Sequence, residues 1–242
     1  MIKILEKLEF LLAQIQGIGY GGFSIKKEIS SSRKYIPNGK IFVDVGGNKG
    51  LYTQEILRIF NPDEVHVFEP SRTNVEILKS KFSDNSKVVI NAMGLSNKDT
   101  NSVLYSNESG SGLGSLTKRR LDHFGLDFSV EESIKLIRFD EYWKSNSKLI
   151  DLMKIDVEGH ELEVLDGIGD FINNIRVIQF EFGGSNIDTR TFFQDYWYFF
   201  QKKNFNIFRI TPIGCFEVSS YKERYERFMT TNYFCVNKNL IS

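Results

Sequence analysis

The sequence predicts a doubly wound α/β domain, in which helices cover both faces of a mostly parallel β-sheet. From Lys40 onward, apolar strand segments alternate with amphipathic helical segments, as in sheets built from crossover connections. The strand segments are nearly continuous apolar runs, which is typical of strands buried on both faces. A chain of 242 residues has room for one such domain and a small N-terminal attachment.

The N-terminal segment is predicted to be an amphipathic helix. Charged residues interrupt its apolar run, so neither a secretory signal nor a transmembrane span is expected. We expect the helix to pack on the domain or on a partner in a homodimer, with a membrane surface as the alternative. A glycine-rich loop or hinge follows at Gly17–Phe23, which divides the chain into an N-terminal helical extension, residues 1–35, and a main domain, residues 36–242. The apolar residues at helical spacing are Ile4, Leu5, Leu8, Leu11, Leu12 and Ile15.

The main domain contains seven strand segments and four helical segments. Two late strands have no helical segment between them, so one of them is expected to run antiparallel. The polar, glycine-rich stretch Ser106–Thr117 is expected to be a loop, either a flexible connection or, over Asn107–Thr117, a lid on the site. The strands are IFVDVGG, EVHVFEP, KVVINAMG, LIDLMKID, RVIQFEFG, FNIFRIT and YFCVN, and the helices span 51–60, about 71–82, 161–165 and 191–203.

Composition excludes several classes of protein. The chain has 31 basic and 31 acidic residues, so it lacks the positive charge of a general nucleic-acid-binding protein. The short run Lys118–Arg120 is expected to be a solvated loop, with a substrate contact as the alternative. Two cysteines, Cys215 and Cys235, form neither a disulfide framework nor a zinc pattern. A cytoplasmic protein is expected.

A glycine-rich turn, Asp44–Gly50, follows the first strand and precedes a helix, where free N–H groups can bind an anion. Its glycines allow a ligand to approach the backbone closely. A dinucleotide fingerprint would have a glycine where Asn48 stands, which argues against an NAD-dependent dehydrogenase, and the P-loop pattern is absent. The turn therefore suits a nucleoside ligand with a carboxylate but no pyrophosphate, such as S-adenosylmethionine.

The next two strand ends supply further ligand contacts. Glu69 lies 19 residues beyond Gly50, the interval at which an acid accepts both ribose hydroxyls. Asn91 and Met93 end the third strand and are expected to flank the adenine, although Asn91 could equally stabilise a turn. By contrast, His66 lies inside an apolar strand and is expected to be a core residue.

The most unusual stretch, KIDVEGHELEVLDGI, places acids and a histidine at the end of the fourth strand. Asp156 is expected to face the cofactor or the acceptor, or else to cap the helix. Glu158 is either a site residue or a turn stabiliser. His160 begins the helix and is expected to act as a general base together with the carboxylate of Asp156 or Glu158, or else to hold the loop. Glu181, after the next strand, is the other acid expected to reach the site. Glu161 and Glu163 are expected to be solvated, and Tyr196, Trp197 and Phe200 to pack in the core.

The motifs DVGGNKG, VFEP, INAMGLS, LMKIDVEGHELEVLDG and IQFEFG, in this order, resemble the FkbM family of S-adenosylmethionine-dependent methyltransferases. The resemblance covers Ile41–Gly183. It implies a class I methyltransferase domain over residues 36–242, with a seven-stranded sheet whose last strand is antiparallel. It also implies O-methylation, often of sugar hydroxyls in glycans or natural products. The family commonly has alanine where Gly47 stands, a small-for-small difference.

The expected site combines these motifs. Asp156 and Glu181 offer oxygen ligands that suit Mg²⁺, but no third ligand is evident, so metal dependence is not favoured. Alternatives are a carboxyl- or amide-methylating enzyme and a non-catalytic nucleotide-binding scaffold. The catalytic candidates are Asp156, Glu158, His160 and Glu181. The candidates for binding S-adenosylmethionine are Asp44, Gly46, Gly47, Asn48, Gly50, Tyr52, Thr53, Glu69, Pro70, Ser71, Asn91, Ala92, Met93 and Asp156.

Overall fold

A computed structural model describes residues 2–20 and 25–241, so the expected loop at Gly17–Phe23 lies partly outside the described residues. The strands are β1 (Ile41–Val45), β2 (Glu64–Phe68), β3 (Val88–Asn91), β4 (Gly94–Leu95), β5 (Thr100–Ser106), β6 (Val130–Ile137), β7 (Ile150–Ile155), β8 (Ile175–Phe182), β9 (Phe205–Thr211), β10 (Gly214–Glu217) and β11 (Thr231–Asn237). The α-helices are α1 (Ile2–Ile15), α2 (Ile25–Ser32), α3 (Leu51–Ile59), α4 (Arg72–Lys81), α5 (Phe139–Trp143), α6 (Glu161–Ile168), α7 (Ser185–Thr189) and α8 (Phe193–Lys202).

The main sheet confirms the expected fold class. Its order is β10-β9-β11-β8-β7-β1-β2-β3. Strands β1, β2, β3, β7 and β8 pair in parallel, and β11 is antiparallel to both β8 and β9. The last strand is therefore antiparallel, as expected. The sheet has eight strands rather than seven, because the chain turns back after β9 and adds β10 as an antiparallel edge strand.

A second sheet, which the sequence did not predict, lies between β3 and β7 along the chain. It has the order β4-β6-β5, with β5 and β6 antiparallel. Much of β5 is only half-buried, so it lacks the apolar run by which the other strands were found. This small sheet matters for function because Leu104, Ile134 and Leu136 project from it into the cleft described below.

Successive residues of the central strands point to opposite faces of the main sheet and so build two apolar cores. On one face, Phe42 packs with residues of α2, α3 and α4. On the other face, Val43 belongs to a core that includes α5, α6 and α8. Tyr196 and Phe200 are fully buried in this second core, and Trp197 packs against it, so their expected packing role is confirmed.

The predictions for His66 and for the two cysteines agree with the structure. His66 is buried, with Nδ1 2.9 Å from the Tyr142 hydroxyl and Nε2 3.2 Å from Glu64 Oε2, so it is a satisfied core residue. Cys215 and Cys235 are both free thiols.

Helix α1 forms as expected, but its apolar row does not pack on the domain. Eight large apolar residues of α1 are between 45% and 70% exposed, and Ala13 is its one buried residue. The expectation that this helix packs on the domain is therefore wrong for its apolar face, and the homodimer through it stays a prediction. Among the described residues, no helix has the length and apolar character needed to cross a bilayer.

The ligand crevice of this fold lies where the strand order reverses. The chain runs from β1 to β2 and β3 on one side, and then returns to β7 on the other side of β1. Val45, the last residue of β1, pairs with Phe68 of β2 and Ile155 of β7. The three strands therefore end side by side, and the residues that follow them meet at one edge of the sheet.

Candidate active site

The nucleotide turn, Asp44–Gly50, closes tightly against the end of β7. The N–H groups of Gly46 and Gly47 donate to the carbonyl oxygen of Phe68, at 2.9 and 3.1 Å. Gly46 has φ +81°, and a Cβ there would overlap the carbonyl oxygen of Asp156. Only glycine fits at this position, because a side chain is excluded by both the backbone angle and the space. Asn48 follows in the left-handed region, with φ +46°.

Gly47 is also closely packed. A Cβ at this position would overlap Cγ1 of Val67 in the neighbouring strand β2. Replacement of Gly47 by alanine is therefore not neutral in this chain, because an alanine requires the β-branched Val67 side chain to move.

Glu69 occupies the expected place at the end of β2. Its carboxylate accepts hydrogen bonds from the N–H of Asn48 at 2.7 Å and of Ser71 at 2.8 Å. Ser71 is the N-cap residue of α4. Burial raises the pKa of Glu69, although these two backbone donors act in the opposite direction. The carboxylate is thus fixed between the nucleotide turn and the start of α4.

A cleft of about 620 Å³, including its open mouth, lies at this edge of the sheet. The nucleotide turn and Glu69 form one end, an apolar wall comes from the small sheet, and the turn after β7 forms the other end. A loop covers it from above. The lining residues are Val45, Gly46, Asn48, Phe68, Glu69, Pro70, Asn74, Gly94, Leu95, Leu104, Ser111, Gly112, Gly114, Leu116, Ile134, Leu136, Asp156, Val157, Glu158 and His160.

Asn91 and Met93, which were expected to flank the adenine, do not line this cleft, and neither does the cofactor-binding candidate Ala92. Asn91 Nδ2 donates to the carbonyl oxygen of Val67 in the neighbouring strand β2 at 3.2 Å, so its side chain is engaged within the sheet. Met93 packs against the core, and Ala92 lines a separate surface groove. Strand β3 ends at Asn91, and Gly94 and Leu95 of β4 line the cleft instead.

Asp44, Tyr52 and Thr53 lie behind the nucleotide turn. Asp44 is fully buried, and its Oδ2 accepts a hydrogen bond from Thr53 Oγ1 at 2.7 Å. Burial raises the pKa of Asp44, and the charge of Lys154 acts against this rise. A second pocket of about 380 Å³ borders the turn on this side and is lined by Ile25, Gly46, Gly47, Asn48, Lys49, Leu51, Tyr52, Lys154 and Asp156.

A buried polar network extends from this pocket to helix α2. The Tyr52 hydroxyl donates to Gln179 Oε1 at 2.7 Å, and Gln179 Nε2 donates to Glu28 Oε2 at 2.8 Å. Glu28 is 3% exposed, and burial raises its pKa to about 7. The N-terminal extension therefore contributes a carboxyl group next to the site, which no sequence motif indicated.

Asp156 is paired with a buried lysine. Lys154 Nζ lies 2.8 Å from Asp156 Oδ2 and 5.0 Å from the centre of the Tyr52 ring. Burial lowers the pKa of Lys154, but the carboxylates of Asp156 and Asp44 outweigh this and raise it. Lys154 therefore stays charged and orients Asp156 at the mouth of the cleft.

Two further acids lie near Asp156. Glu158 has a left-handed backbone, with φ +53°, and Glu181 follows at the end of β8. Burial raises the pKa of both carboxyl groups, and the charge of Asp156 adds to the rise. Among the described residues, no group donates a hydrogen bond to the Glu181 carboxylate. The three expected acids are thus brought together, and Glu181 is the one without a donor.

Arg119 is a site residue that the sequence analysis missed. Its Nη1 lies 2.5 Å from Glu158 Oε2, and its Nε lies 3.3 Å from Asp188 Oδ2. The Arg119 side chain is 8% exposed, so the expectation of a solvated basic run is wrong here. Nothing in the run Lys118–Arg120 distinguishes the buried residue from its two exposed neighbours.

His160 lies in the cleft, but with different partners from those expected. Its Nε2 is 3.0 Å from Thr117 Oγ1, and its Nδ1 is 3.8 Å from Glu163 Oε1. The expected pair with Asp156 or Glu158 is therefore wrong, because the imidazole turns toward the covering loop. His160 is the N-cap residue of α6.

Glu161 is not solvated, contrary to expectation. It is 1% exposed, and its Oε1 accepts hydrogen bonds from the N–H of Val157 at 3.1 Å and of Gly159 at 3.0 Å. The Tyr196 hydroxyl donates to its Oε2 at 3.1 Å. Glu161 thus clamps the acidic turn, residues 156–160, to the start of α6.

The roof loop, Asn107–Thr117, covers the cleft and contacts both of its ends. Ser109 Oγ lies 2.7 Å from Thr73 Oγ1 beside the nucleotide end. Ser115 Oγ donates to the carbonyl oxygen of Glu158 at 2.8 Å, and Thr117 contacts His160. Its role as a lid stays a prediction. Within residues 2–20 and 25–241, no three metal-ligating side chains are grouped so as to hold an ion.

The fold, the glycine turn and the acid after the second strand are those of a class I methyltransferase. A family model described as the methyltransferase FkbM domain matches residues 44–207, and the chain belongs to this family. The alternative of an NAD-dependent dehydrogenase is therefore wrong.

Individual relatives are distant. Methyltransferase 1 of Beauveria bassiana (strain ARSEF 2860) is 25% identical over 166 residues, covering 60% of this chain and 67% of that protein. Methyltransferase sdnD of Sordaria araneosa is 28% identical over 175 residues, covering 60% and 68%. A crystal structure of methyltransferase FkbM from Methylobacillus flagellatus KT is 16% identical, with a TM-score of 0.49. The match covers 81% of this chain and 43% of that one, so this chain spans less than half of its length.

Proposed function

We propose that this protein is an S-adenosylmethionine-dependent O-methyltransferase that methylates a hydroxyl group of a sugar. The observation that carries the proposal is the position of three acids at the neighbouring ends of β7 and β8, where Ile155 pairs with Phe180. Asp156 and Glu158 line the cleft beside the nucleotide turn, and Glu181 on β8 lies next to Asp156. Carboxylates accept hydrogen bonds from hydroxyl groups, and one of them can take the hydroxyl proton during the reaction.

The residues of the cleft fit S-adenosylmethionine. The glycines of the turn give close access to the backbone, and Glu69 lies where a carboxylate receives ribose hydroxyls. Three buried polar atoms near this end have no hydrogen-bond partner among the described residues, namely Asn48 Oδ1, Ser71 Oγ and Asn74 Oδ1. Since buried polar atoms are nearly always paired, they favour a ligand rich in hydroxyl and nitrogen groups.

When bound, S-adenosylmethionine supplies a methyl group on a sulfonium centre, which is already an excellent leaving group. The protein's own residues then have to hold the acceptor oxygen and remove its proton. Glu181 is the best candidate for the base, because it lies beside Asp156 at the end of β8 and no described residue donates a hydrogen bond to its carboxylate. Asp156, held by Lys154, orients the acceptor, and His160 and Thr117 hold the roof loop closed.

The negative charge of the acidic cluster, formed by Asp156, Glu158 and Glu181, favours a neutral acceptor. A carboxylate substrate would meet three acidic side chains, with the cation of Lys154 paired to Asp156 and that of Arg119 paired to Glu158. Like charges at such distances repel. The hydroxyl groups of a sugar can instead donate hydrogen bonds to these side chains, which supports a sugar over a carboxyl acceptor.

The test combines binding with product analysis. S-adenosylhomocysteine is titrated calorimetrically, and a panel of neutral glycosides and carboxylated sugars is then incubated with deuterated-methyl S-adenosylmethionine and analysed by mass spectrometry. We expect an ether product that survives mild base. A base-labile methyl would identify a carboxyl acceptor, and absence of S-adenosylhomocysteine binding would favour the non-catalytic scaffold.

The base is tested in the same assay. Glu181→Gln is expected to lower kcat at least about 100-fold, while the affinity for S-adenosylhomocysteine stays unchanged. Glu76→Gln, an exposed acid on α4, is the matched control and should leave both values unchanged. Full activity of Glu181→Gln would move the role of base to Asp156 or Glu158.

A further inference from the structure

A second concave surface, the edge groove, lies between the end of α1 and the β9–β10 hairpin. It has a volume of about 640 Å³ and shares no lining residue with the cleft. Its wall is largely apolar, and Ile213 and Phe216 at its rim are 72% and 53% exposed. Ile15, Val218 and Tyr225 also line the groove.

Arg209 is the cation that lines the edge groove. It is only 9% exposed, and its guanidinium carbon lies 4.9 Å from the centre of the Tyr225 ring and 5.9 Å from that of Tyr233. Burial raises the pKa of Tyr233 to about 12, and the neighbouring guanidinium acts against that rise by its charge and by hydrogen bonding. Aromatic rings therefore surround the cation.

Arg209 has no carboxylate partner within the described part of the chain, and its Nε atom has no hydrogen-bond partner there. Glu226 is a partly buried acid near Tyr233, but its oxygens already accept from the N–H groups of Phe193 and Gln194 and from the Tyr221 hydroxyl. Glu217 lies on the lining but is exposed to solvent. The guanidinium is thus buried without a counter-ion.

An unpaired buried charge is unfavourable, and an arginine cannot escape this cost by losing its proton. Buried arginines in proteins are accordingly paired with acids or bind anionic ligands. The flat guanidinium presents a fork of donors that matches a carboxylate. An anion that enters the edge groove would therefore neutralise the charge of Arg209. A hydrocarbon part of the same ligand would pack against the apolar wall.

We propose that the edge groove is a binding site for a small amphipathic carboxylate. Its carboxylate pairs with Arg209, and its hydrocarbon part lies against Ile15, Ile213 and Phe216. The site is independent of methyl transfer, because none of these residues lines the cleft or the acidic cluster.

The test uses decanoate as the probe and decanol as its neutral counterpart, titrated calorimetrically into the whole protein. We expect saturable decanoate binding that Arg209→Met weakens at least about tenfold, since a charge-assisted hydrogen-bonded pair is lost. Decanol should bind the parent and Arg209→Met with equal affinity. The unliganded variant should have a Tm equal to or above that of the parent, because methionine removes an unpaired buried charge. Arg58→Met, on the exposed surface of α3, is the matched control.

Equal decanoate affinity in the parent and Arg209→Met would overturn the proposal, as would a lowered Tm of the variant together with no decanoate binding to the parent. If Arg209→Met does not fold, Ile213→Ser tests the apolar wall, and it should weaken decanoate binding while leaving Tm unchanged. Unchanged affinity in that variant overturns the proposal. Binding to phosphatidylglycerol vesicles without binding of free decanoate would also overturn it, by assigning this face to a membrane surface.

Discussion

Arg119 Nη1 lies 2.5 Å from Glu158 Oε2, and this ion pair joins the segment that follows the roof loop to the acidic turn. Glu158 has a left-handed backbone, which is unfavourable for a residue with a side chain. Arg119 also pairs with Asp188 of α7, so three separate segments meet at one guanidinium. The shape of the acid cluster therefore depends on a residue outside every recognised motif.

Arg119→Gln is expected to lower the free energy of unfolding by about 3 kcal/mol, because it leaves Glu158 and Asp188 without their buried partner. Urea denaturation at neutral pH measures this change. Arg120→Gln is the control, since the Arg120 side chain is exposed and only its backbone N–H contacts Asp188. Equal effects of the two substitutions would contradict the proposed role of the ion pair.

Gly47→Ala is expected to destabilise the protein by about 1–3 kcal/mol, because the new methyl group overlaps Val67. Val67→Ala should make room for it, so the double variant should lose less stability than the sum of the single variants. A double-mutant cycle in urea measures this coupling. Additivity within about 0.5 kcal/mol would mean that the backbone absorbs the overlap instead.

Glu28→Gln is expected to flatten the dependence of stability on pH. The pKa of Glu28 rises from 4.5 to about 7 on folding, so its contribution is fully present below 4.5 and is lost as the pH rises through about 7. The parent should therefore lose about 3 kcal/mol more than the variant between pH 4.5 and pH 8. Denaturation at several pH values tests this, with the exposed Glu6→Gln of α1 as control. Parallel pH profiles of parent and Glu28→Gln would refute it.

Thr117→Val is expected to speed the dissociation of S-adenosylhomocysteine about fivefold, because it removes the hydrogen bond between the roof loop and His160. Stopped-flow displacement measures the rate. Thr117→Ser keeps the hydroxyl group and should release the ligand at the parent rate. If both variants behave like the parent, the loop does not retain the ligand through this contact.

The parts of the fold that could be predicted are those with a local signal. Strands β1, β2, β7 and β8 are continuous apolar runs, and the helices between them show regular apolar spacing. The glycine turn was also evident, because a positive φ and a close backbone approach leave few residue types to choose from. The small second sheet was missed since its strands are short or half-exposed.

The site residues that were missed depend on contacts between distant parts of the chain. Arg119 pairs with Glu158 across 39 positions, and Glu28 contacts Gln179 across 151. No periodicity encodes such contacts. Glu161 is different, because an acid in the first turn of a helix often accepts from free backbone N–H groups. Its charge suggested solvent exposure, but its position in the first turn of α6 already indicated that its carboxylate could accept hydrogen bonds from the backbone.

The roof loop has a consequence for the order of events in a catalytic cycle. One segment contacts Thr73 at the nucleotide end and both Glu158 and His160 at the acidic end. If the roof loop acts as the predicted lid, exchange of the spent nucleotide requires the same opening that frees the acceptor. An acceptor with several reactive hydroxyl groups would then be modified distributively, with one methyl group added in each encounter, so that partly methylated products accumulate before fully methylated ones.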